Sequence, residues 1–260
     1  MNILDKIAAD KREEVELKKE LLPLDVLEIL PYYQRSCNSL KESLRKGSGI
    51  IAEFKRKSPS KKDINLKAEV EDITLGYQAA GASGISVLTD ETYFGGTLDD
   101  LLLCRDLIHL PILRKDFIID EYQIYESKAF GADVILLIAA LLSPKQIQTF
   151  SKTAKALGLE VLLEVHSEEE LQRSLVQGID LVGVNNRNLK TFEVDLNTSR
   201  DLSNKIPSEF LKISESGISE VSSIQELKTF GYEGFLIGEN FMRTADPAKS
   251  ALDFIKALKP

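Results

Sequence analysis

Seven side chains able to move protons or hold polar ligands stand at the C-terminal ends of five short apolar stretches: Glu53 and Lys55, Lys115, Glu164, Asn185 with Arg187, and Glu215. Side chains alternate along a strand, so residues two apart share a face. Ile51 therefore leads to Glu53 and Lys55, Leu113 to Lys115, Leu162 to Glu164 and His166, Gly183 to Asn185 and Arg187, and Ile213 to Glu215. Each series climbs from an apolar or small residue to a polar one. An ionised group at the end of a buried strand is costly unless paired or put to use, so the five series imply one shared polar cavity, an expected active site. Two lysines among three carboxylates allow an ammonium to stay charged yet partly desolvated, ready to donate a proton, while a neighbouring carboxylate accepts one. The same groups could instead form a buried salt-bridge network closing one end of the fold, although desolvation makes such networks poor stabilisers.

Two glycine-bearing strand ends, Ser216-Gly217 in ISESGI and Gly238-Glu239 in IGENFM, could present backbone N–H groups to a phosphate, since glycine permits close approach. Ser58-Pro59-Ser60 reads as an oxyanion-binding loop or as an ordinary turn. The basic run Lys55, Arg56, Lys57, Lys61 and Lys62 is either a solvated loop or a local attraction for an anionic small molecule, the second being favoured by the glutamate and serines beside it. His109 and His166 lack metal-ligand partners at useful spacing and read as structural or surface residues. With no Gly-rich nucleotide fingerprint and no carboxylate–histidine metal cluster in the sequence, the chemistry is expected to need no metal and no tightly bound cofactor.

The elements that must position these groups follow a repeated phrase: a helical segment, a glycine, then an apolar β-rich run. It recurs around Gly81, Gly131, Gly158, Gly178 and Gly231, where glycine after a helix end accepts the left-handed conformation that stops the helix. Helical patterns occupy 67–80, 98–108, 121–129, 144–156, 167–177, 196–204, 220–229 and 247–258, with Ser143-Pro144 and Asp246-Pro247 as start signals. Strands are expected near 50–55, 84–89, 111–115, 133–138, 159–165, 180–184, 210–215 and 234–238. Eight βα units predict an α/β fold, a single (β/α)8 barrel over 48–260, better than an open sheet. Residues 1–47 form an N-terminal helical extension in which Ile3, Leu4, Ile7 and Ala8 recur at helical spacing, the charges at 10–20 suit an exposed face, and a second helix lies around 39–46. The extension could lid the barrel or plug one end of it.

At 260 residues and 43% hydrophobic content the chain can bury a large core. Its net charge of −8 argues against a nucleic-acid surface. The longest apolar run, Val134 to Leu142, is half of what a bilayer span needs and reads as a buried strand and loop, so no membrane partner is expected. No secretory signal precedes Asp5, Lys6 and Asp10; a cytoplasmic location follows, with Cys37 and Cys104 as reduced thiols.

Six motifs in order, EFKRKSPS (53–60), LRKDF (113–117), LLEVH (162–166), VNNRNL (184–189), ISESGI (213–218) and IGENFM (237–242), resemble those of the indole-3-glycerol phosphate synthases, and the resemblance spans essentially the whole chain. It implies a single (β/α)8 TIM barrel of tryptophan biosynthesis that converts 1-(2-carboxyphenylamino)-1-deoxyribulose 5-phosphate into indole-3-glycerol phosphate, carbon dioxide and water. The ring carbon bearing the carboxylate attacks the sugar ketone, carbon dioxide leaves, and dehydration completes the indole. Ring closure makes its own iminium electron sink, in keeping with the absence of a cofactor. By the same resemblance Lys115 is the general acid at the ketone oxygen and Glu164 the base that also stabilises the developing cation. Glu53 and Glu215 would tune the lysines, Glu53 being a candidate in dehydration, while Lys55 grips the anionic substrate. Asn185 and Arg187 would hold a hydroxyl and the carboxylate. Ser58, Ser216, Gly217, Gly238 and Glu239 would bind phosphate, and Phe117 and Leu189 would wall the aromatic ring, unless these two are plain core.

Two departures from the family pattern stand out. Lys61-Lys62 follows Ser-Pro-Ser where many members carry a Gly, and Asn240 replaces a common Ser. A sugar-phosphate substrate is the implied partner, with other tryptophan-pathway enzymes as further ones. Two competing readings are a Schiff-base aldolase using Lys115 or Lys55 as nucleophile and a catalytically silent barrel subunit.

Overall fold

All five glycines that mark helix ends in the sequence have left-handed backbones, φ running from 76° at Gly158 to 102° at Gly178. Gly81, Gly131, Gly158 and Gly231 follow helix ends within two residues, Gly178 lies in a turn four residues past the helix that stops at Ser174, and all five turn the chain toward the next strand. A computed structural model, describing residues 3–189 and 191–258, gives eight parallel strands in the closed order β1-β2-β3-β4-β5-β6-β7-β8. Three helices precede them: α1 (Ile3–Leu21), α2 (Leu24–Leu27) and α3 (Leu40–Lys46). The strands are β1 (Ile50–Phe54), β2 (Gly84–Leu88), β3 (Ile112–Lys115), β4 (Val134–Ile138), β5 (Glu160–Val165), β6 (Leu181–Asn185), β7 (Leu211–Glu215) and β8 (Tyr232–Ile237). Around them run α4 (Val70–Ala80), α5 (Glu91–Phe94), α6 (Leu98–Leu107), α7 (Tyr122–Ala129), α8 (Pro144–Ala156), α9 (Glu168–Ser174), α10 (Asn197–Ser203), α11 (Val221–Thr229), α12 (Glu239–Met242) and α13 (Pro247–Leu258). Every expected strand and long helix is present, and the fold is a (β/α)8 TIM barrel with an N-terminal helical extension. The short helices α2, α5 and α12 carry too few residues to leave a periodic signal.

Pairing Ile50 with Phe235 closes the barrel. The register sets Leu88 opposite Lys115, Ile138 opposite Glu164, Glu164 opposite Gly183, and Asn185 opposite Glu215, which brings the polar strand ends to one rim. Beneath that rim Ile51, Leu113, Leu162 and Ile213 fill the barrel interior as alternation requires.

The extension does both things the sequence left open. At the N-terminal ends of the strands, Leu40 and Leu44 of α3 join the interior cluster. Space is made for them, since a Cβ on Gly84 would lie 2.5 Å from Leu40. Glu160, the first residue of β5, accepts the Leu40 and Lys41 N–H groups at 2.9 and 3.1 Å, placing an anion at the start of α3. At the opposite end, Ile3, Leu4 and Ile7 of α1 line the cavity at the rim. The expectation of an exposed charged face over 10–20 fails at Lys11, whose side chain is 1% exposed and pairs with Asp90 at 2.9 Å and Asp116 at 3.2 Å. Two carboxylates at the strand ends draw it in. Among the described residues no helix is long and apolar enough to cross a membrane.

Candidate active site

Lys115 ends β3 pointing inward, and its Nζ donates to Glu164 Oε2 and Glu215 Oε2, both at 2.7 Å. Burial opposes the ammonium, but Glu164, Glu215 and Glu53 outweigh it and push the lysine above its ordinary value, so it stays charged. The two glutamates are driven apart. Burial would raise both, yet Lys115 and His166 hold Glu164 below the usual carboxylate range, whereas at Glu215 burial and the Glu164 charge win over Lys115 and raise it. Environments that separate two carboxylates in this way are what acid–base division of labour requires. A second pair stands beside them: Lys55 Nζ lies 2.7 Å from Glu53 Oε1.

Two glycines make room for this cluster. A Cβ on Gly183 would come within 2.2 Å of Glu215 Oε1, and one on Gly238 within 2.5 Å of Glu53 Oε1. Glu215 Oε1 is buried and has no hydrogen-bond partner among the described residues. In a native interior such an atom calls for an explanation, and here it borders a cavity.

That cavity, of about 150 Å³, is lined by Glu53, Lys55, Ser58, Lys115, Phe117, Glu164, Asn185, Arg187, Leu189, Glu215, Ser216 and Glu239. Twelve of the fourteen residues singled out from sequence thus meet in one place. The other two, Gly217 and Gly238, line an adjoining recess of about 220 Å³ that shares Glu53, Lys55, Arg187, Ser216 and Glu239. Ser216 and Gly217 both have positive φ, 67° and 78°, an unusual conformation for serine that turns the chain sharply at the strand end. Asn240 also lines this recess, with Arg243, whose NH2 donates to Asn240 Oδ1 at 3.2 Å.

Sequence reasoning missed part of the wall. Phe94 packs on Phe117 with ring centroids 5.9 Å apart, and Leu136, Ile138, Phe192 and Leu236 complete the apolar side with α1. Leu136 and Ile138 were legible in principle as alternate residues of β4, while Phe94 lies on a four-residue helix. Arg243 lies one residue past α12 and carried no strand signal.

Some basic and loop residues take structural parts. Arg56 faces away from the cavity, its NH1 and NH2 donating to Asp100 at 2.6 and 2.8 Å, so the basic run does not act as one patch. Ser58 belongs to a tight turn: its N–H donates to Lys61 O at 2.8 Å and its Oγ accepts from Lys61 N–H at 3.1 Å. It lines the cavity but not the Gly217–Gly238 recess. Glu239 reaches Lys61 and Arg187 at 3.6 and 3.8 Å. Cys37 and Cys104 are free. Among the described residues no trio of His, Cys, Asp or Glu is arranged to hold a metal ion.

Comparison with known proteins agrees with this geometry. A family profile described as indole-3-glycerol phosphate synthase matches residues 4–254. The indole-3-glycerol phosphate synthase of Bacteroides thetaiotaomicron is 48% identical over 259 residues, covering 99% of each chain. That of Caldanaerobacter subterraneus subsp. tengcongensis is 45% identical over 93% of each. Among solved structures, 3-hexulose-6-phosphate synthase from Salmonella typhimurium has a TM-score of 0.64 at 14% identity, covering 81% of this chain and 98% of that one. Thiamine phosphate pyrophosphorylase from Pyrococcus furiosus has a TM-score of 0.61 at 16% identity, covering 85% and 100%. At such identities the two structures speak to the fold alone.

Proposed function

The chain belongs to the indole-3-glycerol phosphate synthase family, and we propose how the residues at its barrel mouth divide that family's reaction. It is a decarboxylating carbon–carbon lyase of tryptophan biosynthesis, acting on a sugar phosphate. The observation that carries the division of roles is Lys115, held as a charged acid between two carboxylates of opposite tendency beside a cavity. The substrate is 1-(2-carboxyphenylamino)-1-deoxyribulose 5-phosphate. Lys115 protonates its ketone oxygen as the ring carbon attacks, carbon dioxide leaves, and Glu164 stabilises the cation and then removes the proton whose loss forms the indole double bond. Glu53 assists departure of the hydroxyl, and Glu215 keeps Lys115 in place.

Lys55 grips the anionic substrate, Asn185 holds a hydroxyl and Arg187 the carboxylate, and Phe117 and Leu189 flank the aromatic ring. The phosphate lies in the recess of Gly217 and Gly238, with Ser216 and Glu239 at its edge and Ser58 on the adjoining cavity; Arg243 adds a positive charge there. Residues 1–47 are the extension and 48–260 the catalytic barrel, with α1 covering the mouth. A nucleophilic role for Lys115 fits poorly, because a lysine paired with two carboxylates keeps its proton. A cytoplasmic setting, alongside other enzymes of the same pathway, accords with the free thiols.

Incubating the protein with the carboxyphenylamino deoxyribulose phosphate tests this. Indole absorbance should rise with one carbon dioxide released per indole, and failure of either signal would refute the assignment.

A further inference from the structure

Behind Glu164, on the side away from Lys115, stands His166. Glu164 turns Oε2 to the lysine, while its Oε1 lies 3.5 Å from His166 Nε2. The other ring nitrogen, Nδ1, is 3.2 Å from Glu170 Oε2, which also accepts the His166 backbone N–H at 2.7 Å. Nε2 is buried and has no hydrogen-bond partner among the described residues. The imidazole does not line the substrate cavity; it borders an adjoining polar cavity of about 710 Å³ that shares Leu4, Asn185, Arg187 and Leu189 with it. His166 therefore connects the proposed base to a second, polar compartment.

The proposed reaction creates a need for such a connection. Ring closure puts one proton on the ketone oxygen, and carbon dioxide departs without one. Dehydration puts a second proton on the leaving hydroxyl, delivered by Lys115 once it is recharged and with Glu53 orienting the hydroxyl, and returns one from the carbon next to nitrogen to Glu164. Two protons enter and one comes back, so each turnover draws one from solvent, although Lys115, Glu164 and Glu215 are nearly buried and a bound substrate would occupy the cavity beside them.

We propose that His166 is a positioning and proton-relay residue that resupplies the Lys115–Glu164 pair from the neighbouring cavity, a role that rests on the acid and base assignments above. The protonated ring gives its Nε2 proton to Glu164 Oε1, the N–H bond breaking as the O–H bond forms. Neutral Lys115 takes a proton from the Glu164 carboxyl, restoring ammonium and carboxylate. His166 regains its proton from water or a buffer acid in the cavity, so charge and atoms balance. An imidazolium here bonds Glu170 through Nδ1–H and turns Nε2–H toward Glu164 Oε1 at ion-pair distance, whereas the neutral ring would turn a lone pair toward one of the two carboxylates. Burial disfavours the charged ring, but Glu170, Glu164 and Glu215 outweigh it and raise its pKa above the ordinary histidine value. Across the cavity stand Arg173, Arg187, Glu193 and Asp195.

The test is steady-state turnover of wild type, His166→Gln and His166→Asn from about pH 5 to pH 9, at low and high concentrations of imidazole buffers of graded pKa. In both variants kcat should fall about tenfold at low buffer, most steeply on the alkaline side, with KM little changed. Added imidazoles should restore kcat in an order that follows their pKa. Wild-type kcat in either variant at low buffer would overturn the relay. So would a loss equal at every pH that no added acid relieves, which would mark His166 as structural support. The assignments beneath fail differently: wild type would then form no indole, or Glu164→Gln would retain full activity.

Discussion

Arg114 and Lys115 are successive residues of one strand, each nearly buried and each paired with two carboxylates, yet they serve different ends of the same chemistry. Arg114 points outward, between barrel and helices. Its five N–H donors go to Thr89 Oγ1, Gln123 O, Ser127 Oγ, Asp116 and Glu126, at 2.7 to 3.1 Å. Asp116 in turn takes Lys11, so the network fastens α1 and α7 to the strand end. Lys115 points inward, and among the described residues two carboxylates occupy two of its three donors. Beside it lie the unmet Glu215 Oε1 and an open cavity. Burial and ion pairing are common to both clusters. What separates them is where the unmet capacity faces: Glu126 Oε1 in the structural cluster also lacks a hydrogen-bond partner among the described residues but sits 3.7 Å from Lys18 Nζ and away from the cavity, whereas Glu215 Oε1 in the proposed catalytic cluster borders the cavity and can meet a ligand.

Four substitutions sharpen this contrast. The largest effect is expected from Glu164→Gln, which keeps the shape of the Lys115 cluster and removes the proposed base. Turnover should drop by about two orders of magnitude or more, with the melting temperature little changed, as read by indole formation and calorimetry. Gly183→Ala should displace the Glu215 carboxylate that sits where its Cβ would be. We expect about a tenfold loss of kcat, and unchanged kinetics would show that Glu215 need not stand where it does. Lys55→Ala should mainly raise KM, and a loss confined to kcat would move Lys55 from binding into the chemistry.

The smallest effect on activity belongs to Asp116→Asn in the structural cluster. Burial alone would raise Asp116, but Lys11 and Arg114 outweigh it and hold the carboxylate below the usual aspartate range. A group depressed in the folded state stabilises it above the unfolded pKa, about 3.9, and that contribution is lost as pH falls through the folded value. The variant should therefore be less stable at neutral pH and show a shallower acid dependence below about pH 4, followed by thermal melting. Equal acid slopes in the two proteins would remove Asp116 from the network.

The barrel was legible because its signals are local: glycines between helices and strands at five of the turns, apolar runs of strand length, and caps such as Ser143, which forms a capping box with Gln146. The inward set was legible because alternation is strict, which is what put Lys115 in the site and left Arg114 out. The buried position of Lys11 was not, since its partners Asp90 and Asp116 come from distant strand ends and helix periodicity cannot report them. Phe94 and Arg243 escaped for the same reason, lying on or just past helices of four residues. His166 was read as structural or surface from the absence of metal-ligand spacing, and what marks it is the three-dimensional fact of Glu164 on one side and Glu170 on the other.

The contrast between the two clusters comes down to one paired measurement, turnover and thermal stability of Lys115→Met beside Arg114→Met. Removing Lys115 should abolish indole formation with a modest change in melting temperature, because Glu215 is already inclined to hold a proton. Removing Arg114 strands Asp116 and Glu126 in the interior and should cost about 3–5 kcal/mol of stability, while the folded fraction retains turnover within severalfold of wild type. The reverse pattern, with an active Lys115→Met and a stable but inactive Arg114→Met, would contradict the account.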